Sequence, residues 1–237
     1  MDKQNRIYQS PCKVELSVEV VSVSPKVFII KQFLSDSECQ CLIDAAKGHM
    51  KDSVLVDGSG GVMKKDMRIS TNTWLSRHEN PIIDTVYKRA ADALLIDEKI
   101  LDESNVAEPL QVVNYQKGGK FDYHYDWFIS YKSGGSDIGE SRYLTLLLYL
   151  SNKENEAAGG ETAFYHGRFN PNHDPRIIST FESGQKGIKI HPGKGGAVLF
   201  YNLLEDGNGD IKTQHAGLPV MVGEKWLANL WVWDPKK

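Results

Sequence analysis

The sequence predicts an α+β fold: a double-stranded β-helix, or jelly roll, with helices packed on one face. Helical periodicity is confined to the first part of the chain, and after residue 108 the pattern changes to short β-rich runs separated by glycine turns. Helices first and strands afterwards mark an α+β arrangement. The strands are short and regularly spaced, as in two antiparallel layers whose open mouth holds a small ligand. No internal repeat or low-complexity tract is present, so neither a solenoid nor a disordered binding arm is indicated.

Taken in order, residues 14–34 are rich in Val and Ile with polar breaks, and Val27 to Ile30 reads as a buried strand. Ser35 and Glu38 form a capping box, and Cys39, Leu42, Ile43 and Ala46 follow at helical spacing. Residues 52–66, with Asp57-Gly58-Ser59-Gly60-Gly61, lack periodicity and read as a loop. Asn80-Pro81 opens a second helix through Ile82, Ile83, Val86, Ala90, Ala93 and Leu94. Strands are then expected at 110–115, 142–150, 160–166, 195–202 and 225–233, with Phe128 to Ser141 and the Gly58 loop as the segments able to move over a site. With 237 residues the chain suits one domain, 1–237, in which 1–107 is a strand and helix support and 108–237 the jelly-roll core.

Composition narrows the function classes. A net charge of -3 and a pI near 6.2 provide no basic field for a polyanion, so nucleic acid is not an expected partner. No apolar run reaches the ~18 residues of a membrane span and no signal peptide is evident, so a soluble, cytoplasmic protein is expected. Cys12, Cys39 and Cys41 are too few for a disulfide scaffold, and the last two point apart on a helix.

The chemistry concentrates at His124-Tyr125-Asp126 and His215. Side chains two apart in an extended segment share a face. Two imidazoles and one carboxylate on one face of a metal leave three coordination positions open, as Fe(II) oxygenases require. Lys225 lies in the apolar, aromatic stretch Gly223-Glu224-Lys225-Trp226-Leu227, and a buried ammonium needs an anion.

Residues 108–233 resemble the prolyl 4-hydroxylase family of 2-oxoglutarate, Fe(II) dioxygenases, of the collagen, plant and microbial kind. The resemblance is carried by Tyr115-Gln-Lys-Gly118-Gly-Lys-Phe121-Asp-Tyr-His124-Tyr-Asp126, Arg142 to Leu150, Gly159-Gly160-Glu161-Thr162-Ala-Phe164, His191 to Phe200, and His215 to Trp226 with Trp231. It implies that His124, Asp126 and His215 hold Fe(II), and that Lys225, Tyr115 and Thr162 bind the far carboxylate of 2-oxoglutarate. It further implies that O2 is consumed, 2-oxoglutarate leaves as succinate and CO2, and ascorbate is expected as an accessory. Arg142 and Trp231 fall at catalytic positions, and Arg68, Ser70, Glu108 and Tyr123 where the family supports a peptide. The implied partner is a proline-containing peptide or protein, whose polyproline II form docks along aromatics such as Tyr123, Trp127 and Trp231.

Three features depart from the family. Phe121 stands where a Tyr is usual, Trp233 replaces a polar residue, and residues 166–186 add a loop between two strands. Loops set specificity on a fixed scaffold. Two other readings therefore remain: a hydroxylase of the same cofactor class acting on a free amino acid or small molecule, and a non-catalytic jelly-roll binding module. His166, His173 and His191 read as surface or turn histidines.

Overall fold

Apolar residues run consecutively along the long strands and so line both faces of a sheet, which fixes the layering of this protein. The computed structural model describes residues 6–8, 14–54, 65–102, 106–128, 141–153, 155, 158–169, 178–180 and 186–234. The chain begins with β1 (Arg6–Tyr8), β2 (Val14–Ser24), β3 (Lys26–Lys31), α1 (Asp36–Lys47), β4 (Lys51–Asp52), β5 (Arg68–Ile69), β6 (Thr71–Leu75) and α2 (Pro81–Leu94). There follow β7 (Leu110–Tyr115), β8 (Lys120–His124), β9 (Arg142–Tyr149), β10 (Thr162–Phe164), β11 (Arg168–Phe169) and β12 (Ile178–Thr180). The last four are β13 (Lys186–Ile190), β14 (Ala197–Tyr201), β15 (His215–Gly217) and β16 (Lys225–Trp233).

A large sheet runs β1-β2-β3-β14-β9-β16-β7-β6-β4, with β11 paired to β2, and a small sheet runs β12-β13-β10-β15-β8-β5. All the pairings are antiparallel, as a jelly roll requires. Strands from before residue 108 supply one flank and the far edge of the large sheet, so this region is woven into the sheet that bears the site.

The period of two along β16 and β9 sorts side chains between two cores. Trp226, Ala228, Leu230 and Val232 of β16, with Leu144, Leu146 and Leu148 of β9, face the helices. Leu227, Leu147, Tyr149 and Val113 face the small sheet and pack with Phe164, Ile188 and Ile190. Between the sheets the same rule turns Lys225, Asn229 and Trp231 inward, into a pocket.

Both helices start where their caps allow. Ser35 accepts from Glu38 N, Glu38 accepts from Ser35 N, and Asn80 accepts from Ile82 N ahead of Pro81. Glu38 also takes both ends of the Arg89 guanidinium, at 2.8 and 2.5 Å, and Arg89 donates to Phe33 O. Burial opposes a charged Glu38, yet the Arg89 partner holds its carboxyl below the usual range.

The expected strands at 110–115 and 225–233 coincide with β7 and β16, while β9, β10 and β14 fall inside the expected runs and are shorter. Periodicity alone does not reveal β15, a three-residue His-Ala-Gly strand. The inserted loop contributes strands as well: β11 and β12 extend the two sheets, while residues 170–177, with His173, and 181–185 lie outside the described residues. So do 55–64 and 129–140, which hold most of the two segments expected to move. Cys39 and Cys41 both lie on α1 as free thiols.

Candidate active site

The two histidines stand opposite each other on neighbouring strands of the small sheet. His124 pairs with His215 and Phe121 with Gly217, so three steps along β8 oppose two along β15. That bulge turns Phe121 and His124 to the same side, where their rings stack with centroids 3.5 Å apart. Asp126 departs from the expectation of a shared strand face: β8 ends at His124, and Asp126 lies in the bend that follows. The bend carries its carboxylate across to the large sheet.

The donor atoms of His124, Asp126 and His215 all lie within 4.8 Å of one another. Nε2 of His124 is 3.6 Å from Asp126 Oδ1, and Nε2 of His215 is 3.7 Å from Oδ2. Nδ1 of His124 meets Asp122 O at 2.8 Å, and Nδ1 of His215 meets Thr213 O at 2.9 Å. A carbonyl accepts only from N–H, so Nδ1 carries the proton in each ring and Nε2 keeps its lone pair for a metal. Burial, reinforced by the neighbouring His124, lowers His215 to about 4, which keeps it a neutral ligand.

Asp126 is buried and fixed from the large sheet. Thr145 on β9 donates to its Oδ2 at 2.7 Å, Trp231 Nε1 on β16 donates to the same oxygen at 3.1 Å, and Asn202 donates to Thr145. Burial alone would raise its pKa, but His215, His124 and Arg142 outweigh it, pull the pKa well below the usual carboxylate range and hold the group ionised. The site is thus two neutral nitrogens and one anionic oxygen, a donor set that suits a divalent cation such as Fe(II).

These groups line a pocket together with Arg68, Tyr115, Phe121, Leu147, Thr162, Gly217, Lys225, Leu227, Asn229 and Trp231. Lys225 is 6 % exposed, with the rings of Tyr115 and Tyr149 5.6 and 5.1 Å from its ammonium. Burial lowers it to about 7, against the pull of Glu161. Gly160, at φ 76°, lets the backbone lie against the lysine stem, since a Cβ there would be 3.3 Å from Lys225 Cδ. Thr162 shares a 2.5 Å hydrogen bond with Tyr149 OH. A buried cation beside hydroxyls, in the same pocket as the three donor groups, suits the free carboxylate of 2-oxoglutarate.

The other sequence-predicted residues surround this pocket. Arg68 lines it, donates to Ser70 at 3.1 Å and lies 4.8 Å above the Phe121 ring. Glu108 and Arg142 form a two-pronged pair at 2.5 and 2.9 Å, which lays the guanidinium 3.7 Å from the Trp231 ring. Tyr123 is half-buried with its ring edge toward Tyr165. The Trp127 ring lies on Gly209, where a Cβ would come within 2.2 Å of it, and donates to Asp210 O. Reading the sequence alone misses Thr145, Asn202, Gln111 and Asn229, which carry the polar bonds behind the pocket. The inward register of Gln111, Thr145 and Asn229 on β7, β9 and β16 was the available signal for those three, while Asn202 follows β14 and has no strand register.

The fold and this site define a metal- and anion-binding jelly-roll oxygenase, and comparison with known proteins agrees. Residues 110–233 match the model of the 2OG-Fe(II) oxygenase superfamily. A probable prolyl 4-hydroxylase 3 of Arabidopsis thaliana is 37% identical over 218 residues, covering 90% of this chain and 71% of that protein. Prolyl 4-hydroxylase 5 of the same plant is 34% identical over 218 residues, covering 90% and 70%. Among solved structures, the 2OG complex of the viral collagen prolyl hydroxylase from Paramecium Bursaria Chlorella virus-1 superposes with a TM-score of 0.61 at 29% identity, covering 87% of this chain and 95% of that one. The chain belongs to the prolyl 4-hydroxylase family of the 2-oxoglutarate, Fe(II)-dependent oxygenases.

Proposed function

We propose that this protein hydroxylates peptidyl proline at C4, with 2-oxoglutarate as cosubstrate. The observation that carries it is that His124, Asp126, His215 and the buried Lys225 all face one pocket. Bound Fe(II), 2-oxoglutarate and O2 supply the oxidising chemistry, with succinate and CO2 as coproducts. His124 and His215 offer Nε2 lone pairs, and Asp126 offers the oxygen that Thr145 and Trp231 orient. Lys225 pairs with the far carboxylate while Tyr115 and Thr162 stand beside it. Leu147 and Leu227 give the pocket apolar lining that disfavours water. Trp231 bridges the metal-binding carboxylate and the substrate side of the pocket, and Glu108 and Arg142 are positioning residues that fix its ring. Arg68, held by Ser70 over Phe121, supplies N–H donors toward a peptide whose prolines present only carbonyl acceptors. Tyr123, which packs against Tyr165 and is not among the pocket-lining residues, is assigned to the peptide side.

The test is succinate release by the Fe(II)-loaded protein with and without a (Pro-Pro-Gly) repeat or polyproline, in the presence and absence of ascorbate, with His124→Ala as the blank. Peptide-stimulated succinate and a gain of one oxygen on proline are expected. Turnover that ignores every proline peptide, with hydroxylation of a free amino acid instead, would overturn the peptidyl assignment.

A further inference from the structure

Both imidazoles of the site are braced by aromatic rings, and the two braces differ. His215, 3% exposed, is wrapped from the core by Phe200 and Phe164, with ring centroids 4.7 and 5.6 Å away. His124 stands further into the open, its side chain 17% exposed, and its brace is Phe121, near-parallel to it at 11° with centroids 3.5 Å apart. With one face of Phe121 filled at stacking distance, the other is left to Arg68, whose guanidinium carbon lies 4.8 Å from the ring centroid. The register builds this order. Arg68 on β5 pairs directly with Phe121 on β8, and the bulge beyond Phe121 brings His124 round to its side. Ser70 and Gln111 accept from the guanidinium at 3.1 and 3.4 Å, which holds it in place.

The Nδ1 hydrogen bond to Asp122 O anchors one edge of the His124 ring and leaves the ring free to pivot about that bond. A flat neighbour at stacking distance removes the pivot, and with it the remaining freedom of the Nε2 lone pair. Resting on the assignment of His124 as an iron ligand, we infer that Phe121 is a positioning residue for that ligand, and that Arg68 acts on the metal centre through it. Guanidinium, phenyl ring and imidazole form one stack that ends at the metal. A phenyl face is electron-rich, so it attracts a cation on one side and a metal-bound, electron-poor imidazole on the other. Neither contact uses a hydroxyl, so the ring of Phe121 serves where a Tyr is usual. A group that draws Arg68 off the ring bares one face of the stack, and the change reaches the metal through His124.

Proton NMR of the Co(II)-loaded protein in water tests this without turnover and without a peptide. A paramagnetic ion shifts the Nδ1–H signal of each ligating histidine far from the rest of the spectrum, and the more exposed ring, His124, exchanges its proton with solvent faster. Phe121→Leu keeps apolar bulk and removes the ring. It is expected to move the faster-exchanging signal several times further than the other and to raise the Co(II) Kd about tenfold. Arg68→Met, one ring away from His124, should move the same signal and raise the Kd about threefold. Phe121→Tyr, which returns a ring, should match the wild type in both. General loosening of the fold would move the two signals alike. That result, or a faster-exchanging signal that stays in place in Phe121→Leu or in Arg68→Met, would overturn the inference while leaving the ligand assignment intact. Absence of both shifted signals from the wild type would remove the ligand assignment itself, and the role of the stack with it.

Discussion

At the scale of single residues, Lys225 illustrates how the site is prepared for its ligand. Its folded value of about 7 lies below the ~10.4 of an unfolded lysine, so between those limits the unfolded chain binds more protons than the folded one. Stability from this residue is therefore greatest above pH ~10, falls as pH drops toward 7, and is lost below. An anion that needs the ammonium charge shows the opposite preference. Affinity for 2-oxoglutarate is expected to weaken as pH rises above about 7, and Lys225→Met should abolish both that trend and the stability slope, as read by calorimetry and by denaturant midpoints across pH. Thr145→Val removes the 2.7 Å bond to Asp126 and is expected to weaken metal binding by about 10–100-fold, measured by Co(II) titration. His124, Asp126, His215 and Lys225 stand out in the sequence because such side chains suit little else in an apolar setting, and the structure brings all four to one pocket. Thr145 and Asn202 were not, since a buried polar residue on an inward face reads in sequence only as an interruption of a hydrophobic run.

Among elements, the two helices are joined by a pair the sequence hides. Glu38 reads as one half of a capping box, which it is, yet its carboxylate also neutralises Arg89, whose side chain is fully buried. Glu38→Ala is expected to destabilise the fold by about 3–5 kcal/mol, because it removes the carboxylate that faces the buried guanidinium; urea unfolding measures it. Loss of the cap alone, by Ser35→Ala, should cost about 1 kcal/mol. The long β-rich runs of β7, β9 and β16 could be read directly, as could both helices from their caps. The pairing of β15 with β8 could not, because three residues carry no period and the bulge at Asp122 and Tyr123 breaks the alternation that would place Phe121.

For the whole molecule, the site lies where the two sheets meet. The histidines belong to the small sheet, while the carboxylate is held by Thr145 and Trp231 of the large one. Ligands that bind only the folded form stabilise it in proportion to the logarithm of their excess, about 2.7 kcal/mol at a hundredfold excess over Kd. Thermal unfolding of the Co(II)- and 2-oxoglutarate-loaded protein should accordingly occur well above that of the chelator-treated protein. No helix among the described residues is long and apolar enough to cross a membrane, and the apolar faces of both helices are turned onto the large sheet. A cation gripped from both layers acts as a rivet. The empty protein would part first at the small sheet, whose strands are short and whose middle pair carries the two imidazoles. In a cell, proteases sample opened chains, so the supply of iron would govern the lifetime of this protein as well as its catalytic competence.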